Sequence, residues 1–328
     1  MLTTARRSQG VFSLDHKRLL VRIARMYYED QATQNVIASA LGLSRPKVQR
    51  LLQEALGTGI VQIRVVPPDG TDTDAEREVE RRYGLREVIA VEVPPDERPT
   101  ALMRDLGCAA ARYVRSVVRD GMTVGLSWGH TLAATVAAFD AQPLKDMRVV
   151  QILGALPERP HGDEATGLAR RFALALNAPL HLVPAPGIVA SEVVQQALLQ
   201  DPSVGDALRL GRAADVAIVG IGTLAPQTGT PAHAGLLAPG DRADLLRRGA
   251  VGDIALRFFD ETGCPVFADL DRRVVGLTLE ELRAVDIVAV AGGPGKYRAI
   301  RAALRGGFVN VLITDAETAR RLAEEARE

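Results

Sequence analysis

Over residues 14–66 the apolar positions recur with helical spacing in three bursts. Leu19, Leu20, Ile23 and Met26 predict one helix, and Val36, Ile37, Ala40 and Leu41 predict a shorter second one opened by Thr33 as N-cap. Gly42-Leu43-Ser44 reads as a tight turn in which the glycine supplies a positive φ, Leu43 points back into the core and Ser44 caps a third helix. That helix is predicted over about residues 45–56, with Pro46 tolerated in its first turn. Val48, Leu51, Leu52 and Ala55 share one face of it, which leaves Arg45, Lys47, Gln49 and Arg50 on the other. The alternating run Ile60-Val61-Gln62-Ile63-Arg64-Val65 then predicts a β-ribbon of the kind that makes a wing.

Beyond residue 72 the pattern changes. The polar run over residues 73–83 predicts a short, salt-bridged helix with a solvated face. Seven apolar runs rich in β-branched residues follow, at 88–93, 123–126, 149–153, 180–183, 216–221, 287–290 and 309–313, alternating with helical segments. Strands that are apolar on both faces and separated by helices predict a parallel, doubly wound α/β sheet. The longest apolar stretches, such as 132–139, are too short to cross a bilayer of about 30 Å.

Charge separates the same two regions. The 328 residues carry 40 Lys+Arg against 40 Asp+Glu, a formal net charge of zero that taken alone disfavours a nucleic-acid partner. Up to Val66, however, ten basic residues face four acidic ones, so this segment is +6 and the remainder −6. The sign changes at Pro67-Pro68-Asp69-Gly70-Thr71-Asp72, a linker-like stretch, and predicts domains at 1–66 and 67–328. Cys108 and Cys264 offer neither a disulfide framework nor zinc spacing, and the opening Met1-Leu2-Thr3-Thr4-Ala5-Arg6-Arg7 lacks the apolar core of a signal peptide, which together predict a cytoplasmic protein. An aromatic content of 4% argues against a single-stranded nucleic-acid stacking platform. No motif calls for a metal or a cofactor.

The chemistry of the basic segment is that of a helix-turn-helix. Arginine pairs bidentately with guanine and glutamine with adenine, while lysine and serine reach phosphates, so Ser44, Arg45, Lys47, Gln49 and Arg50 are the candidate DNA contacts. The competing reading is a helical subdomain whose basic face is merely solvated. In the acidic segment, ligands of a doubly wound sheet bind beyond the carboxyl ends of the strands. There the chain reads Gly125-Leu126-Ser127-Trp128-Gly129-His130-Thr131, a strand-to-helix turn that aims backbone N–H groups and a positive helix end at an anion. Gly154, Gly222-Thr223 and Gly292-Gly293-Pro294-Gly295-Lys296 follow other strands and extend the same rim. Lys296 is one of four lysines against 36 arginines, and Asp253, in Gly249-Ala250-Val251-Gly252-Asp253-Ile254, suits two hydroxyls of a polyol or else a simple turn. His161 and, less so, His233 lie in polar loops as further candidates.

These loops, with Pro184-Ala185-Pro186-Gly187 and a helix-turn-helix upstream, resemble the SorC family of sugar-responsive bacterial transcriptional regulators over nearly the whole chain. The resemblance implies a winged helix-turn-helix on an effector domain of the phosphosugar isomerase and deaminase type, binding operator DNA as a homodimer or homotetramer. It also implies a sugar, phosphorylated sugar or sugar alcohol as effector, with the phosphate loop at residues 125–131, a hydroxyl-binding acid at Asp253 and a ligand-proximal lysine at Lys296. The rival expectation is an active phosphosugar isomerase or deaminase, which needs an acid–base pair at the reacting carbons. The corresponding loop, Val219-Gly220-Ile221-Gly222-Thr223-Leu224-Ala225-Pro226, holds neither acid nor histidine, so a regulator without a catalytic residue is the expectation retained.

Overall fold

The computed structural model describes residues 14–62, 73–93, 100–156, 165–224 and 237–325. The chain divides into two compact units, Met1–Val66 and Pro67–Glu328. In the first, α1 (Leu14–Tyr28), α2 (Gln34–Leu41) and α3 (Arg45–Gly57) enclose a small core of Leu20, Ile23, Ile37, Val48, Leu51, Leu52 and Ala55. Thr33 caps α2 by accepting from the Val36 N–H, and Gly42 takes the left-handed conformation, φ 62°, that ends it. Ser44 stands at the N-cap of α3, but its side chain makes no capping hydrogen bond, so the turn geometry alone sets the start of that helix. The predicted ribbon is not seen in its described part: residues 60–62 form no strand, Ile60 and Val61 pack on the helical core, and residues 63–65 lie outside the described residues.

The second unit begins with α4 (Thr73–Tyr83), β1 (Glu87–Val91), α5 (Thr100–Val117), β2 (Thr123–Leu126), α6 (His130–Ala137) and β3 (Arg148–Gln151). It continues with α7 (Ala165–Ala175), β4 (Leu180–His181), α8 (Glu192–Gln200), α9 (Pro202–Arg212), β5 (Val216–Gly220), β6 (Gly222–Thr223) and α10 (Pro239–Arg247). The last elements are β7 (Ala250–Ile254), β8 (Arg257–Asp260), α11 (Leu279–Arg283), β9 (Ile287–Val290), α12 (Tyr297–Arg305), β10 (Val311–Asp315) and α13 (Ala316–Glu324). Seven of the strands, those read as apolar runs, form one parallel sheet in the order β1-β10-β9-β5-β2-β3-β4.

Alternate residues of these strands feed two cores. Ala217, Val219, Ile287, Ala289 and Leu312 pack on one face with α9 and α12, while Val124, Leu126, Val149, Val288 and Ile313 pack on the other with α5, α6 and α7. From β2 the chain steps outward through β3 to β4, whereas from β5 it steps the other way through β9 to β10. The order therefore reverses between the neighbours β2 and β5, the switch point beyond whose carboxyl ends open α/β sheets take ligands.

The expectation of a solvated α4 needs correction. Ala75 and Val79 are buried, and Glu76 and Glu80 accept hydrogen bonds from the Ala90 and Val88 N–H groups at 2.8 and 2.9 Å. β1 is a sheet edge, and its outward N–H groups would otherwise face solvent as a template for pairing. The acidic run is thus an edge cover rather than a free surface.

Candidate functional site

Three adjacent strands, β2, β5 and β9, deliver their following loops to one rim. After β2, the Ser127 N–H donates to Ile218 O of β5 at 3.0 Å, and Ser127 is buried. Gly129, at φ 133°, is the N-cap of α6 and supplies no capping side chain. A residue with a Cβ would be strained at that φ, and a capping side chain would compete for the first-turn N–H groups. His130 and Thr131 lie in the first turn of α6, with His130 exposed.

β5 runs into β6, which pairs antiparallel with β7 in a second, three-stranded sheet completed by β8. This register sets Gly222 opposite Asp253 and Thr223 opposite Gly252. β7 lies so close to α12 that a Cβ on Gly252 would meet the Ala299 Cβ at 2.6 Å. Asp253 is buried and accepts from the Leu256 N–H at 3.0 Å, across the tight turn Ala255-Leu256 that joins β7 to β8. Both turn residues have positive φ, 51° and 64°, a costly conformation for alanine and leucine that the carboxylate helps to hold.

The loop after β9 closes the rim. The Ala291 N–H donates to Ile313 O, Gly293 takes φ 96° and donates to Asp315 Oδ2 at 2.6 Å, and the Thr223 hydroxyl donates to Gly295 O at 3.4 Å. Lys296 stands at the N-cap of α12. Burial lowers its ammonium from the ordinary lysine range, and the negative charge of Asp253 draws it partly back. The rim thus combines the N-terminal turn of α6, three hydroxyls, one carboxylate and one desolvated ammonium, chemistry suited to a small polyhydroxylated anion.

The structure brings together Ser127, Gly129, His130, Thr131, Gly222, Thr223, Asp253, Gly292, Gly293 and Lys296 at these strand ends. It gives other work to three expected members. Gly125 is inside β2, where a Cβ would strike the Ala217 Cβ at 2.9 Å, so its smallness serves sheet packing. Gly154 lets its loop pass the backbone of residues 185–187, since a Cβ there would meet Ala185 O at 2.5 Å. Trp128 is half-buried against the core formed with α9 and α12. His161 and His233 lie outside the described residues.

Sequence reasoning passed over Asp315. It is buried, caps α13 through the Thr318 N–H, accepts from the Thr318 hydroxyl at 2.7 Å and holds Gly293. The available signal was an Asp-x-x-Thr at the end of the last apolar run, a helix-start pattern whose cap also faces a neighbouring loop. Arg257 was passed over too. Its buried guanidinium donates to Leu277 O, Asp271 O, Val274 O, Gly276 O and the Asp271 carboxylate, fastening residues 271–277 under the loops of Gly154 and Gly187.

In the first unit, Ser44, Arg45, Lys47, Gln49 and Arg50 are all exposed, while Val48, Leu51, Leu52 and Ala55 turn inward. Arg45 also lines an open groove of 620 Å³ with Tyr27, Gln31, Thr33, Gln34 and Asn35 at the start of α2.

A doubly wound unit with a polar, anion-accepting rim at its switch point defines a binding domain for a small ligand, here preceded by a separate three-helix unit. Residues 67–324 match the Sugar-bind family, described as a "Putative sugar-binding domain". The chain is 33% identical over 313 residues to the deoxyribonucleoside regulator of Bacillus subtilis strain 168, covering 95% of this chain and 99% of that protein. It is 32% identical over 323 residues to the transcriptional regulator LsrR of Klebsiella pneumoniae, covering 97% and 96%. The crystal structure of the full-length sorbitol operon regulator SorC from Klebsiella pneumoniae matches with a TM-score of 0.72 and 28% identity over 94% of this chain and 99% of that one. The chain belongs to the Sugar-bind family and is a sugar-responsive transcriptional regulator of the SorC type. Among the described residues no helix is long and apolar enough to cross a membrane.

Proposed function

We propose that Met1–Val66 is a helix-turn-helix operator-binding head and that Pro67–Glu328 is an effector domain of the phosphosugar isomerase and deaminase type, without turnover of its own. α3 is the recognition helix, with Arg45, Gln49 and Arg50 facing base edges and Ser44 and Lys47 reaching phosphates. The effector is a phosphorylated sugar or sugar alcohol. Its phosphate docks at the first turn of α6 beside Ser127 and Thr131, its hydroxyls meet Asp253, and Lys296 supplies the countercharge.

The observation that carries this reading is the convergence of the α6 N-terminus, Asp253 and Lys296 at one switch point, in a chain that matches a full-length operon regulator over 94% of its length. Against an isomerase stands the rim itself. One carboxylate oxygen of Asp253 is held by the Leu256 N–H inside a tight turn, and among the described residues the only histidine at the rim is the exposed His130. The protein acts as a homo-oligomer, because paired recognition helices must enter successive major grooves about 34 Å apart. Effector occupancy then changes operator affinity by the difference in effector binding between two arrangements of those helices. An operator-shift assay with a panel of sugar phosphates tests the proposal. At least one should change operator affinity about fivefold or more; no response to any of them, together with isomerase turnover, would reverse the assignment.

A further inference from the structure

We propose that Gln151 is a specificity-determining residue of the same rim, its side-chain amide reading a hydroxyl of the bound sugar. The inference rests on the assignment of the rim to a sugar phosphate. Gln151 is the last residue of β3 and is only 3% exposed, within the run Val149-Val150-Gln151-Ile152-Leu153. Its carbonyl oxygen is sealed from solvent and accepts no hydrogen bond from any described residue. A buried amide that leaves its acceptor unspent costs stability, and a leucine of similar volume would avoid the cost.

Its place in the fold says what the cost serves. Gln151 pairs in register with Leu126, the residue immediately before Ser127. Side chains alternate along a strand, so Gln151 faces the same side of the sheet as Val149, the side covered by α6 and α7. It therefore sits at the carboxyl-end margin of that layer, one strand away from the turn that opens α6. Thr135, another buried polar group in this layer, is already satisfied, its hydroxyl donating to Thr131 O at 2.9 Å. Among the described residues Gln151 has no such partner.

An orphaned acceptor requires a donor. A sugar hydroxyl is one, and a fully ionised phosphate is not, so Gln151 answers to the polyol part of the ligand while α6 and Lys296 answer to its anionic part.

The full chain and its Gln151→Leu variant would be titrated calorimetrically with ribose 5-phosphate, 2-deoxyribose 5-phosphate, glucose 6-phosphate and sorbitol 6-phosphate, and their melting followed with and without sulfate, an anion without a donor. The variant should melt higher than the parent in the absence of ligand, lose at least tenfold in affinity for the sugar phosphate the parent binds best, and keep the parent's stabilisation by sulfate. Gln151→Met, unbranched and of similar volume, serves as the second variant and should behave alike. Unchanged sugar-phosphate affinity in a folded variant overturns the role of Gln151 and leaves the rim standing. Equal losses toward sulfate and sugar phosphate also overturn it, since they mark a disturbed rim. If the parent binds none of the four, the assignment of the rim fails and this inference falls with it.

Discussion

Lys296 and Asp253 show how much a single position can and cannot tell. The lysine stood out by rarity, one of four against 36 arginines, and the acid by its place between glycine and an apolar run. Their pairing did not stand out, because it depends on the β6–β7 register and on Gly252 letting β7 lie against α12. Burial holds the Lys296 ammonium below the usual lysine range and Asp253 only partly restores it. An anionic effector needs the protonated form, so affinity should decline as pH rises, and sooner than it would for an ordinary lysine, near 10.4. Lys296→Met should abolish that decline and weaken binding about tenfold or more, the loss of one charge-assisted contact. Calorimetric titration over a pH series checks both. The glycines teach the opposite lesson: Gly125 and Gly154 looked like ligand loops, but a Cβ at either collides with protein, and sequence spacing does not distinguish those two uses.

At the scale of elements, the seven parallel strands were legible because each is apolar on both faces and bounded by a helix. The antiparallel sheet was not. β6 has two residues, and the β7–β8 turn uses Ala255-Leu256 at positive φ where Asn-Gly would have announced it. The cover of β1 by α4 was equally hidden, since Glu76 and Glu80 read as solvated charges until their acceptor role at the sheet edge is seen. α4 is tied further at its end. Tyr83 and Tyr297 both donate to the Glu325 carboxylate, Arg301 donates to it at 2.8 Å, and Arg82 donates to Leu322 O and Glu325 O. Burial and the bond to Glu325 push the Tyr297 phenol up to about 12. Burial pushes the Glu325 carboxyl up, but the hydrogen bonds from Tyr297, Arg301 and Tyr83 outweigh it and hold the group below the usual range. A depressed folded-state value gives stability that is present above the unfolded glutamate range, about 4.3, and lost as pH falls through the folded value. Glu325→Gln should therefore lower the melting temperature at pH 7 and flatten its decline below about pH 4.3. Melting curves over an acid pH series would show a parallel decline in both proteins if the junction carried no such linkage.

For the molecule as a whole, the zero net charge concealed a basic first unit and an acidic second one, and the division into Met1–Val66 and Pro67–Glu328 follows packing as well as charge. Such a division makes the two activities separable. Arg45→Ala with Arg50→Ala should abolish specific operator binding while leaving stabilisation by the effector intact, which gel shift and thermal melting read independently. On the proposed reading the acidic unit gains nothing from long-range attraction to an anionic effector, which leaves capture to the local chemistry proposed for the α6 N-terminus and Lys296. That local capture, converted into a change in operator affinity, is the central claim. Fluorescence anisotropy of an operator fragment, titrated with full-length protein in the presence and absence of the best sugar phosphate, tests it directly when the parent and Lys296→Met are compared. The parent should shift its apparent operator Kd about fivefold or more on adding effector, and the variant should keep the effector-free Kd but lose the shift. An undiminished shift in the variant would contradict the claim.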